Sequence, residues 1–103
     1  MNRGEVWWAD VPGADRRPYL ILTRNQAIPL LSRVLAVPST RTTRGLPTEV
    51  PLGPDDGMPT ECVLTLDNVE VLRKARFVSR ICVLPHERME EVCTALSRAV
   101  ECS

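Results

Sequence analysis

Residues 4–23 read GEVWWADVPGADRRPYLILT. Each end of this stretch is rich in β-branched and aromatic residues, and Pro12-Gly13 breaks the middle. That is the composition of two strands joined by a turn. In the first run Val6 and Trp8 fall on one face of a strand and Trp7 and Ala9 on the other. Both faces are apolar, so both need cover. In the second run Pro18 suits a strand's first position, where its missing N–H is not needed. Proline also holds the residue before it extended. Arg17 therefore stands at the lip of a strand in a defined backbone geometry.

The pattern continues outward. Residues 33–39 (RVLAVPS), 48–52 (TEVPL), 61–67 (ECVLTLD), 69–72 (VEVL) and 76–84 (RFVSRICVL) read as further strands. Between them lie an irregular segment interrupted by Pro29, the polar loop TRTTRGLPT (40–48) and the turn-forming GPDDGMP (53–59). The close differs. In PHERMEEVCTALSRAV (85–100) Met89, Val92, Cys93, Leu96 and Val100 recur at helical spacing, with Pro85 in the first turn and Glu87, Glu90 and Glu91 toward the positive end. Many short strands with frequent turns predict a mainly β protein. The expected fold is a small antiparallel barrel with short connecting helices and a C-terminal amphipathic helix packed on it. At 103 residues the chain is expected to be one domain, 1–103.

Composition narrows the function. MNRGEVWW opens the chain with charge and without the apolar region of a signal peptide, and no run approaches a membrane span. A soluble, cytoplasmic protein with no membrane partner is expected. Cys62, Cys82, Cys93 and Cys102 include no C-x-x-C pair, and His86 is the one histidine. Neither a metal site nor a cofactor is expected, and the thiols read as reduced and idle. A lone histidine also excludes a histidine-pair ribonuclease.

Net charge is zero, yet it is unevenly spread. Arg16, Arg17, Arg24, Arg33, Arg41 and Arg44 fall between residues 16 and 48 with no acid among them, while acids dominate from Glu49 onward. This predicts one positive and one negative face. Arginine's planar fork grips phosphate in a bidentate way, so the positive face fits a phosphate backbone.

GEVWWAD, RRPYLILT, VLAVPSTRTTRGLPTEV and LTLDNVEVL occur in the order and spacing of the MazF/PemK-type toxins, and the chain resembles that family from Gly4 into the C-terminal helix. The resemblance implies an SH3-like barrel of the CcdB/PemK toxin type that forms a homodimer. It implies metal-independent endoribonuclease cleavage at short single-stranded RNA sequences, which inhibits translation and growth. It also implies a cognate antitoxin whose flexible acidic C-terminal tail occupies the RNA groove. Carried over by position, the principal catalytic residues are Arg17 and Thr40, and Asp67 in LDN matches an aspartate implicated in some members. Arg16, Tyr19, Arg24, Arg41 and Arg44 are the expected RNA contacts. The chain departs from the pattern in its first loop. VPGADRRP is short, Asp15 is its only acid, and the loop glutamate of many relatives is absent; Thr65 stands where some members have arginine.

Cleaving RNA with its own 2′-OH requires removal of the 2′ proton, stabilisation of charge on the phosphate oxygens and protonation of the leaving 5′-oxygen. Preorganised donors usually supply the largest share. Arg17 and Thr40 suit that task, and either Asp15 or Asp67 accepts the proton if burial raises its pKa. The products would be a 2′,3′-cyclic phosphate and a 5′-hydroxyl. Two rivals stay open. A CcdB-like gyrase-poisoning toxin would use an aromatic C-terminal end, which VECS lacks. A non-catalytic RNA-binding barrel is kept open by the missing glutamate. Trp7 and Trp8 read as core or dimer interface rather than as base-stacking platforms.

Overall fold

The strands assemble around β3 (Arg33–Thr40). One of its edges pairs with β2 (Arg17–Ile21), which in turn pairs with β1 (Glu5–Ala9), and β1 pairs with β7 (Phe77–Val83). The other edge is shared. Residues Arg33–Ala36 pair with β6 (Glu70–Arg73), and Ser39 and Thr40 pair with β5 (Cys62–Thr65), which carries β4 (Glu49–Leu52) on its far side. All pairs are antiparallel, and the one α-helix among the described residues, α1 (His86–Ala99), follows the last strand. This computed structural model describes residues 1–101, so Cys102 lies outside the described residues.

Pro38 sits where β3 passes from β6 to β5. Its missing N–H falls at the junction of two ladders, and its carbonyl accepts a hydrogen bond from Thr65 Oγ1 at 3.4 Å. The fifth strand ends at Thr65 rather than at Asp67, because Leu66–Asn68 turn as a short 3-10 segment. Thr48 holds that turn from both sides, accepting from the Leu66 N–H through its carbonyl and donating through its hydroxyl to Asp67.

Alternation sorts β1–β3 into two cores. Val6, Leu20 and Val37 meet Met89, Val92 and Ala95 of α1 together with Leu52, Met58, Leu64 and Leu84. Ala9, Tyr19, Ile21 and Ala36 meet Ile28, Val34 and Phe77 on the opposite face, with Trp7 against them. Both faces of β1 therefore find cover within one chain, except at Trp8. The helix stripe is turned from the expected one: Cys93 and Val100 are exposed, and Ala95, which the spacing did not single out, is buried. Ala95 and Cys93 are two residues apart, about 200° around a helix, so burying one turns the other to solvent. The ring of ladder hydrogen bonds expected of a barrel is open, since β4 and β7 end the strand order. The loop over residues 53–60 stands between them. There Gly57 has φ +95°, and a Cβ on it would lie 2.7 Å from Cys82 Cβ, so glycine alone fits this crossing.

Glu5 is the buried acid of β1, 5% exposed. Its Oε1 accepts from the Asn2 N–H at 3.0 Å and from the Trp7 indole at 2.9 Å, and Arg80 reaches Oε2 at 3.4 Å. Burial pushes this carboxyl up, but the hydrogen bonds from Trp7 and Asn2 outweigh it and hold its pKa below the ordinary value. A depressed folded pKa means that the stabilisation is fully present above the unfolded value near pH ~4.3 and is lost as pH falls through the folded pKa. Glu5→Gln is therefore expected to lower stability at neutral pH by about 1–3 kcal/mol. In thermal melts across pH, the gap to the parent protein should close on the acid side of that pKa.

Candidate functional site

The helix covers one end of the interior face. A Cβ at Gly4 would lie 3.7 Å from Met89, so α1 begins beside the start of β1. Trp8 is four residues further along that strand, about 13 Å at ~3.3 Å per residue. There the face opens into a cleft of about 480 Å³. Trp8, Pro18, Ser39 and Cys62, buried or half-buried, form its floor, and Asp15, Arg16, Arg17, Thr40, Arg41, Met58, Pro59 and Thr60 stand around it.

The placement of Arg17 and Thr40 follows from strand register. Tyr19 pairs with Pro38, Leu20 with Val37 and Ile21 with Ala36. Continued by two residues, the same register sets Arg17, the first residue of β2, across from Thr40, the last of β3. Directly opposed residues of an antiparallel pair share a face and sit about 4.5–5.5 Å apart at Cα. A guanidinium and a hydroxyl are thus brought to the same rim. Thr40 Oγ1 accepts from the Thr42 N–H at 3.3 Å, which leaves its own proton to donate. Arg16 is tied to Asp10, with Nε 2.7 Å from Oδ1, and that hydrogen bond holds its pKa above the ordinary value. Arg17 and Arg41 have no carboxylate partner among the described residues. They are cations available to an anionic ligand.

The other residues singled out in the sequence lie elsewhere. Tyr19 is 2% exposed and belongs to the second core. Its hydroxyl donates to Glu70 at 3.1 Å, and burial followed by Glu70's charge pushes its pKa up to about 12. Asp67 accepts from Thr48 Oγ1 at 2.6 Å and is not among the cleft residues. Arg24 borders a separate hollow with Leu31, Leu35 and Val71. Arg44 is exposed on the loop after β3, where Glu49 gathers the N–H groups of Arg44 and Leu46.

Sequence reasoning missed the floor and the far wall. Trp8 could have been suspected from alternation, because it shares a face with Val6 but lies beyond the helix. Met58, Pro59 and Thr60 gave no signal beyond turn composition. Cys62 is in the cleft, but burial pushes its thiol and that of Cys82 up, so neither is poised as a nucleophile. The far wall is pinned from behind by Arg88, also missed. Its Nε donates to Asp56 Oδ1 at 3.0 Å, and its two terminal nitrogens reach Glu91 and the Pro51 carbonyl. Asp56 in turn accepts the Gly53 N–H at 3.0 Å. The helix, β4 and the loop leading to Met58 are held by one guanidinium.

A small antiparallel sheet, a C-terminal helix and an arginine-rimmed cleft at the strand ends together make up the architecture of the site. The family model of PemK-like, MazF-like toxins of type II toxin–antitoxin systems matches residues 2–100. A probable endoribonuclease of Mycobacterium tuberculosis, MazF5, is 46% identical over 102 residues, covering 98% of this chain and 94% of that protein. Among solved structures, an endoribonuclease in complex with its cognate antitoxin from a mycobacterial species superposes with a TM-score of 0.90 at 31% identity, covering 100% of this chain and 97% of that one. The Mycobacterium tuberculosis toxin MazF-mt6 superposes at 0.88 with 29% identity over 96% and 98% of the two chains. The chain belongs to the PemK-like, MazF-like toxin family.

The Arg88 clamp makes the cleft wall sensitive to a residue on the helix. Arg88→Ala is expected to cost about 1.5–3 kcal/mol, as charged hydrogen bonds do. Urea midpoints should fall, and amide exchange should rise over residues 53–60. Arg88→Lys should recover only part, because an ammonium cannot span three acceptors in one plane.

Proposed function

We propose that this protein is the endoribonuclease toxin of a type II toxin–antitoxin pair, cutting single-stranded RNA at the cleft beside the start of β2 and the end of β3. The observation that carries this reading is the convergence of Arg17, Thr40 and Asp15 on one cleft, with Arg41 beside them. A scissile phosphate seated on the rim would receive the Arg17 fork and the Thr40 hydroxyl. Both would strengthen their hydrogen bonds as charge builds on the phosphate oxygens, which is where preorganised donors act most. Asp15 is the carboxylate within the cleft, so the role of accepting the 2′ proton falls to it rather than to Asp67. Attack by the 2′-oxygen forms its bond to phosphorus and breaks the bond to the 5′-oxygen, which takes a proton from solvent, leaving a 2′,3′-cyclic phosphate and a 5′-hydroxyl. The chemistry needs no metal.

The related endoribonuclease solved with its cognate antitoxin supports an antitoxin partner here. An extended acidic tail laid over Arg17 and Arg41 would compete with RNA for the same cations. A second copy of the chain has a face to dock on. Leu31, Leu35 and Val71 line a hollow on the β3–β6 side, apart from the cleft, and the preceding Leu30 is 83% exposed. No helix among the described residues is long and apolar enough to cross a membrane. A cytoplasmic site of action fits an RNA substrate.

Incubation of the purified protein with a long RNA in EDTA tests the assignment. Cleavage is expected, with Arg17→Ala lowering the rate on the order of 10²–10³ and Thr40→Ala lowering it less. A 2′-O-methyl group at the cut nucleotide should stop turnover. Cleavage that persists on that substrate would remove the mechanism, and an Arg17→Ala protein as active as its parent would remove the site.

A further inference from the structure

β1 uses its residues unequally. Val6 belongs to the first core, Trp7 and Ala9 to the second, and Glu5 is spent on its buried hydrogen bonds. Trp8 is in neither core. It is half-buried in the cleft floor, across the ladder from Pro18. The Trp7 indole donates to Glu5 at 2.9 Å. At Trp8 a large aromatic side chain is thus held by strand pairing on two sides and used by no packing cluster. Met58 and Pro59, on the loop that Arg88 and Gly57 hold in place, line the same cleft.

We propose that Trp8 is a base-stacking platform, and that the space between it and the Met58–Pro59 wall is a slot for the nucleobase of a nucleotide flanking the cleaved bond. This rests on the ribonuclease reading and adds the element that reads the substrate. The dimensions agree: about 480 Å³ lies within the range of sites that enclose small ligands, and it has an apolar floor under a cationic rim. The geometry suits a single strand. Arg17, Thr40 and Trp8 line one cleft, so a phosphate held by the first two and a base on the indole can belong to the same strand, whose unstacked bases expose aromatic faces that need a partner. The fixed wall makes the slot selective by width, so the base seated on Trp8 is one whose identity the enzyme discriminates.

The test combines Trp8→Ala and Trp8→Phe with RNA oligonucleotides carrying one abasic nucleotide at each position around the cut. On intact RNA Trp8→Ala should raise KM or lower kcat/KM roughly 5- to 150-fold, the worth of one stacked base, and Trp8→Phe should retain most of the activity. On the RNA lacking the stacked base, the parent protein should fall by a similar factor and Trp8→Ala should cost nothing further. An equal Trp8→Ala penalty on every abasic substrate would mean that the indole only supports the fold, and the proposal would be withdrawn. Tryptophan fluorescence with short 2′-O-methyl homopolymers of A, C, G and U decides the matter without cleavage. Quenching in the parent protein that disappears in Trp8→Phe supports the slot even if no RNA is cut. Quenching that is absent, or unchanged by Trp8→Phe, overturns it.

Discussion

The pairing of β2 with β3 is the constraint on which the site depends. Tyr19 lies opposite Pro38, and from that pairing Arg17 falls across from Thr40. A slip of one residue would set Arg17 against Ser39 and reverse every side chain of β2. Three features forbid the slip. Leu20 must join the helix-covered core while Ile21 joins the other. The Tyr19 hydroxyl must reach Glu70. Pro38 must meet the junction between β6 and β5, where its lack of a donor is harmless. Packing on two faces thus positions two side chains that themselves contribute little to packing.

The cleft exists because one short helix cannot cover the whole interior face. Met89, Val92 and Ala95 seal the end near Gly4, and the strands run on past them. At the uncovered end a loop takes the place of a strand, and its rigidity has identifiable sources. Gly57 crosses against Cys82 with no room for a side chain, and Arg88 ties Asp56 to β4 and to the helix. The same packing that leaves the sheet open between β4 and β7 therefore supplies the cleft with a fixed wall.

Charge is arranged by the same logic. The chain is neutral overall, but its acids are largely occupied in structure: Glu5 by Trp7 and Asn2, Glu49 by the loop after β3, Asp56 by Arg88, Asp67 by Thr48 and Glu70 by Tyr19. Arg16, Arg80 and Arg88 are paired, whereas Arg17 and Arg41 are left at the cleft. A neutral protein can present a local positive field when its carboxylates are drawn into hydrogen bonds elsewhere.

Much of this was legible in the order of residues. Alternation in GEVWWAD and the proline after Arg17 announced two strands and an arginine at a strand's lip, and the four motifs in register announced the family. Local patterns carry that information because strand propensity, turn chemistry and proline geometry act over a few residues. Tyr19 and Trp8 mark the limit. Each sits in an apolar strand beside a candidate residue, and nothing within a few positions reveals that Tyr19 turns inward to Glu70, 51 residues away, while Trp8 opens to the cleft. Nor does local sequence reveal that Asp15 lines the cleft while Asp67 is engaged by Thr48. Contacts between distant segments are settled by which faces the whole chain can bury at once, and that competition is decided only in three dimensions.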